Sequence, residues 1–102
     1  MARSLTWSPE ARDDLRTLLM YVSTTWSVAV ARQVKERYVR RVRLLSRFPH
    51  LGQAWPEHPK IRLLVLGSHH GAAYLVGLHT TRILRIIDLR SEREFGPDES
   101  DA

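Results

Sequence analysis

Arg62, Arg85 and Arg90 stand in or just after segments of strand-forming sequence, and Tyr74 lies between the first two. Guanidinium groups placed this way suit phosphate chemistry. Cleavage of an RNA chain by its own 2′-hydroxyl needs a base, an acid for the leaving oxygen, and cations beside the phosphorane-like charge. The cations are plentiful, and the proton carriers are few. The stretch after the last strand reads Asp88-Leu89-Arg90-Ser91, with neither imidazole nor phenol. Imidazole is the side chain suited to carrying protons near neutral pH, but adjacent His69 and His70 point to opposite faces of a strand, and His79 falls in a turn. Tyr74, in an inner strand, reads first as a core residue with its hydroxyl at the rim. The catalytic set is therefore open: Arg62, Arg85, Arg90 and Tyr74 are the candidates if the chain cuts RNA. There is no cysteine, and the histidines pair with no carboxylate at a ligand spacing, so neither a metal nor another cofactor is expected.

A second source of charge is one segment carrying Arg32, Lys35, Arg37, Arg40, Arg41, Arg43 and Arg47 against Glu36 alone. That density exceeds what solubility requires and points to a polyanionic or acidic partner. A solvated basic face is the plainer alternative, and Glu36 with Arg40, four residues on, reads as an ordinary helix-surface pair. Charge is also segregated along the chain. Residues 1 to 90 hold 15 Lys and Arg against 6 Asp and Glu, whereas beyond them Arg93 faces Glu92, Glu94, Asp98, Glu99 and Asp101. Among the tryptophans, Trp7 reads as core, while Trp26 and Trp55 sit in connecting segments where an indole can anchor a partner. Trp55 is the stronger candidate. The expected partner-binding set is Arg62, Arg85, Arg90, Trp55, Arg40, Arg43 and Arg47.

These residues need elements to hold them. A chain of 102 residues that is 43% hydrophobic has enough apolar material for one small core and too little for two. One domain over residues 1–93 is expected, with 94–102 as an acidic, flexible tail. Leu5 and Trp7 alternate with Ser4 and Thr6 as a short strand. Ser8-Pro9 then opens a helix, with serine as N-cap and proline in the first helical position. Ala11, Leu15, Leu18, Leu19 and Val22 form one apolar stripe. Ser27 caps a second helix whose seam is Ala31, Val34, Tyr38, Val42, Leu45 and Phe48. Residues 49 to 60 hold three prolines and a glycine and read as a loop. Strands follow at Ile61–Leu66, His69–Val76 and Arg82–Leu89. The last carries apolar residues on both parities, which suggests a central position. The expected class is α+β, in the order β-α-α-β-β-β, an antiparallel sheet with a helical hairpin packed on one face and the other face open. The start of the chain has no charged-then-apolar signal pattern and no run long enough to span a bilayer, so a cytoplasmic protein without membrane contact is expected.

The opening Leu5-Thr6-Trp7-Ser8-Pro9-Glu10-Ala11 with Asp14-Leu15, the second helix ending Leu45-x-x-Phe48-Pro49, the Leu51-Gly52 pair, and Ile61-Arg62-x-Leu64 leading to Tyr74 and Ile83-Leu84-Arg85-Ile86-Ile87 resemble the RelE/ParE superfamily of toxins from bacterial type II toxin–antitoxin modules. The similarity runs from residue 4 to about 93, nearest the ParE-like branch. It implies a small basic toxin neutralised by a cognate antitoxin, in a hetero-oligomer where the antitoxin's C-terminal segment wraps the toxin and adds helix or strand contacts. RelE-like members cleave mRNA in the ribosome, and Arg62 matches an arginine those members place on the second strand. ParE-like members block DNA gyrase without hydrolytic chemistry of their own. The missing His or Tyr after the last strand favours the second implication, a gyrase inhibitor. An mRNA endoribonuclease is the alternative, and a small non-toxic nucleic-acid-binding domain a further one.

Overall fold

The computed structural model describes residues 3–90. The expected domain boundary at residue 93 and the acidic tail lie outside the described residues. Within them the chain forms β1 (Ser4–Trp7), α1 (Pro9–Thr25), α2 (Val28–Arg43), a 3₁₀ turn (Leu44–Ser46), β2 (Gln53–Trp55), β3 (His58–Val65), β4 (His70–Val76) and β5 (Thr80–Asp88). Both expected caps are in place. The Ser8 hydroxyl accepts from the Ala11 amide at 2.9 Å, ahead of Pro9, and the Ser27 hydroxyl accepts from Val30 at 3.0 Å. Each such cap is worth about 1 kcal/mol.

The strands make one sheet in the order β1-β5-β4-β3-β2. Leu64, Ala72 and Ile86 stand in register across its three inner strands. With Tyr74, Ile83 and Leu66 they pack against Ala11, Tyr38, Val42 and Leu45 from the helical layer. The α+β class and the helical hairpin over a sheet agree with the sequence reading.

Four details differ from it. The sheet is mixed, because β1 runs parallel to β5, with Ser4 opposite Thr80 and Trp7 opposite Ile83. Parallel neighbours need a long crossover, and the two helices supply part of one. The proline-rich loop contains β2, which pairs with β3 at the sheet edge, and β3 itself begins at His58 and carries Pro59. Proline is tolerated there because an early strand position need not donate a ladder hydrogen bond. Phe48 leaves the α2 seam and is 57% exposed, since the α-helix ends at Arg43 and the 3₁₀ turn changes the angular step, burying Leu45 but swinging Phe48 outward. The Glu36–Arg40 pair does not form: the ion pairs among the described residues are Arg16–Asp13, Arg85–Asp14 and Arg90–Asp88.

The double parity of the last strand has a structural cause. Ala73 opposes Arg85, but the next residue, Tyr74, opposes Ile83, leaving Leu84 as an extra residue on β5. This bulge turns Ile83 and Ile86, three residues apart, into the same core.

Candidate functional site

Arg62 and Tyr74 are cross-strand neighbours on β3 and β4, and both are spent on the loop after the 3₁₀ turn. Tyr74 is fully buried; its hydroxyl donates to the Pro49 carbonyl at 2.7 Å and accepts from the Gly52 amide at 2.9 Å. The half-buried Arg62 donates from Nε to the Gly52 carbonyl at 2.8 Å and from Nη2 to the His50 carbonyl at 3.3 Å. The loop can come this close because residue 52 has no side chain: a Cβ there would lie 2.5 Å from the Leu63 carbonyl oxygen.

Arg85 is held elsewhere. Its Nε and Nη2 grip both carboxylate oxygens of Asp14 at 2.8 and 3.0 Å, and the Ile86 amide donates to the same carboxylate at 2.9 Å. This occurs where β1 has ended, so that α1 takes over the edge of β5: the Ser8 hydroxyl donates to the Leu84 carbonyl at 2.8 Å and Asp14 receives Ile86. Burial pushes the Asp14 pKa up, but the hydrogen bonds from Arg85 and Ile86 outweigh it and hold the carboxyl below the ordinary aspartate range. Arg90, just past β5, clasps Asp88 through Nε and Nη2 at 3.2 and 3.0 Å.

The three strand arginines thus have three different partners: loop carbonyls, Asp14 and Asp88. What the fold does gather is a groove of about 750 Å³ between α1 and the end of β5. Leu18, Tyr21, Val22, Trp26, Ile86 and Ile87 supply its apolar lining, and Asp13, Asp14, Asp88, Arg90, His69 and His70 its polar one. Trp26, in the interhelix turn, is 73% exposed. The histidines reach this place through strand pairing, with His70 opposite Asp88 and the Leu89 amide donating to the His69 carbonyl at 2.7 Å. A search for an imidazole following the last strand in sequence misses them, because the antiparallel partner supplies them from the other direction. His70 Nδ1 lies 2.8 Å from the Tyr38 hydroxyl of α2. Burial lowers the His70 pKa, and Asp88 pulls against that shift.

The other expected residues are spread over the surface. Trp55 is half-buried on the edge strand β2, opposite His58. Arg40, Arg43 and Arg47 are exposed. Arg41 turns back to the sheet and donates from Nε to the Val65 carbonyl at 2.6 Å. Among the described residues no group of three or more His, Cys, Asp or Glu is placed to hold a metal ion, and no helix is long and apolar enough to cross a membrane.

The chain is thus a basic α+β domain with a helical hairpin over a mixed sheet, an open groove beside α1 and exposed arginines along α2. The sequence matches the family described as ParE toxin of type II toxin–antitoxin system, parDE, over residues 5–94, and the chain belongs to that family. In three dimensions 12 solved chains match it. One, described as the chromosomal ParDE TA system from P. aeruginosa, superposes with a TM-score of 0.76 at 26% sequence identity, covering 86% of this chain and 97% of that one. No curated protein matches the chain at a significant level.

Proposed function

We propose that this ParE-family toxin acts in the cytoplasm by binding and inhibiting a macromolecular target, DNA gyrase, and that a cognate antitoxin holds it inactive. The observation that carries this reading is the fate of Tyr74, the one phenol in the nuclease candidate set. Its hydroxyl is buried and engaged twice, by Pro49 and Gly52, which leaves it no route to a substrate proton. Arg62, Arg85, Arg90 and Trp55 then serve as separate points of contact, Arg62 sharing a sheet face with Tyr74 and Arg85 the opposite face with Ala73, and Arg40, Arg43 and Arg47 add outward charge.

The groove fits the antitoxin's part. It combines exposed aromatic anchors, Tyr21 and Trp26, with the stretch of β5 that β1 does not cover. An amphipathic segment can lay its apolar side chains into such a groove.

The alternative, ribosome-dependent cleavage of mRNA, draws on a different observation: His69, His70 and Arg90 line one groove, which puts imidazoles beside a cation. The two readings separate in one experiment. Purified toxin is assayed for supercoiling by gyrase and for cleavage of mRNA under translation. Lost supercoiling with intact mRNA is the expected result; cut mRNA with normal supercoiling overturns it in favour of the nuclease. Arg62→Ala with Arg85→Ala is expected to abolish growth inhibition while the far-ultraviolet circular dichroism stays unchanged.

A further inference from the structure

We propose that the outward face of α2 is a docking surface for a nucleic-acid duplex, gripped through its phosphate backbone without regard to sequence. This goes beyond the gyrase reading and does not rest on it.

The face is a line of cations. Arg32, Lys35, Arg40 and Arg43 border one shallow depression on α2, with Glu36 and Val39 between them. All four cations are exposed, and none belongs to an ion pair among the described residues. Arg41, the basic residue of this helix that turns inward, is tied to Val65, so the remaining charge is presented outward by default. From Arg32 to Arg43 the helix rises about 16 Å. Along one strand of a duplex, phosphates recur about every 3.4 Å of axis, so a straight helix of this length meets several of them at once.

The composition of the face decides which partner it fits. A protein partner is held mainly by a few buried aromatic or aliphatic anchors, and this depression offers the half-buried Val39 alone. Of the exposed aromatic residues among those described, Tyr21 and Trp26 line the α1 groove and Phe48 lies past the 3₁₀ turn, outside this depression. A single-stranded nucleic acid is held by stacking its bases on aromatic rings, and this face has none. A rigid, regularly charged duplex asks for neither. It needs guanidinium forks at helical spacing, whose planar donors match phosphate oxygens.

The test uses the full chain and a mixed-sequence DNA duplex two helical turns long, with binding read by fluorescence anisotropy between about 50 and about 200 mM salt. Binding is expected at the low end, falling with salt at a log–log slope of about −3 to −4, the release expected for about four phosphate contacts. Arg32→Glu with Arg40→Glu and Arg43→Glu is expected to weaken binding at least about 100-fold and to flatten the slope by about three. The control is Lys60→Glu with Arg82→Glu, Gln53→Glu and Ser68→Glu, an equal change of charge at exposed positions on the strands and their turns, expected to leave most of the affinity and slope intact. Thermal unfolding of both variants confirms that they fold.

Three results overturn the proposal. One is no binding at low salt by the unmodified chain. Another is equal loss in the two charge-changed variants, which reduces the effect to net charge. The last is binding that emerges only after residues 91–102 are removed, which gives this face to the chain's own acidic terminus.

Discussion

A buried 2.9 Å hydrogen bond joins the Gly52 amide to the Tyr74 hydroxyl, and the same hydroxyl donates to Pro49 at 2.7 Å. Tyrosine here is a clasp that fixes the loop leaving the 3₁₀ turn. Tyr74→Phe removes both bonds and strands a buried N–H, a loss of about 1–3 kcal/mol. The melting temperature is expected to fall by several degrees, at about 4–8 °C per kcal/mol for a domain of this size. Growth inhibition, measured below the new melting point, is expected to persist. A variant that melts normally but has lost its toxicity would return Tyr74 to the chemistry.

The same clasp makes residue 52 sensitive. In Gly52→Ala the added Cβ would approach the Leu63 carbonyl oxygen to 2.5 Å and Tyr74 Cε1 to 2.9 Å. Neither neighbour yields easily, one being backbone and the other a ring held at its far end. Overpacking of this kind costs about 1–3 kcal/mol. Chemical denaturation is expected to show a lower midpoint with an unchanged slope.

Asp14 and Arg85 offer an asymmetric pair. Arg85 is 57% exposed and Asp14 18%, so the ion pair itself is worth about 0.2–1 kcal/mol. Asp14 carries a second duty, receiving the Ile86 amide at the edge of β5. Asp14→Ala is therefore expected to destabilise more than Arg85→Ala. The double variant should cost less than the sum of the singles, because Arg85 has lost its main partner once Asp14 is gone. Equal single effects would deny Asp14 its role at the strand edge.

Much of this was legible in the sequence, and the failures have physical causes. Ser8-Pro9 and Ser27 announce their helices because caps are local chemistry, satisfied within three residues. The parallel direction of β1 is not legible, since alternation of Leu5 and Trp7 reports a face and not a neighbour. Apolar residues at Ile83, Leu84, Ile86 and Ile87 were consistent with a buried central strand, yet the bulge at Leu84 accounts for the two parities and β1 covers only the first half. The loop tie of Arg62 was hidden because its partners are carbonyls, which no side-chain motif marks. The groove histidines were hidden because the register of β4 on β5 brings His70 to Asp88, and register is a property of the fold.

His70 and Asp14 set two acid windows. The His70 pKa is lowered below the ordinary 6.5 by burial, against the pull of Asp88 and with His69 and Arg90 adding to the shift. The unfolded chain therefore binds the extra proton first, and stability is lost as pH falls from 6.5 toward the folded value. Asp14 is lowered from 3.8, so its contribution is full above that value and is lost as pH falls through the folded one. His70→Gln is expected to flatten the upper window and leave the lower one, while Asp14→Asn does the reverse. Denaturation midpoints taken from pH 7.5 to 3 check both, and an unaltered upper window in His70→Gln would remove His70 as its cause.

Trp26 and Tyr21 stand exposed on the rim of the α1 groove, where their removal uncovers nothing in the core. Trp26→Ala is accordingly expected to change the melting temperature little. If the antitoxin seats an amphipathic segment here, the same substitution removes a central aromatic anchor, and truncating such an anchor costs about 2 kcal/mol or more of binding. That corresponds to a rise in Kd of about thirtyfold or greater. Calorimetric titration of the variant with the cognate antitoxin measures it, and growth rescue on co-expression should weaken in step. The basic face of α2 shares no residue with this groove, so Arg32→Glu with Arg40→Glu and Arg43→Glu should leave the antitoxin's affinity largely unchanged. Unchanged affinity in Trp26→Ala would move the antitoxin's anchor off this groove.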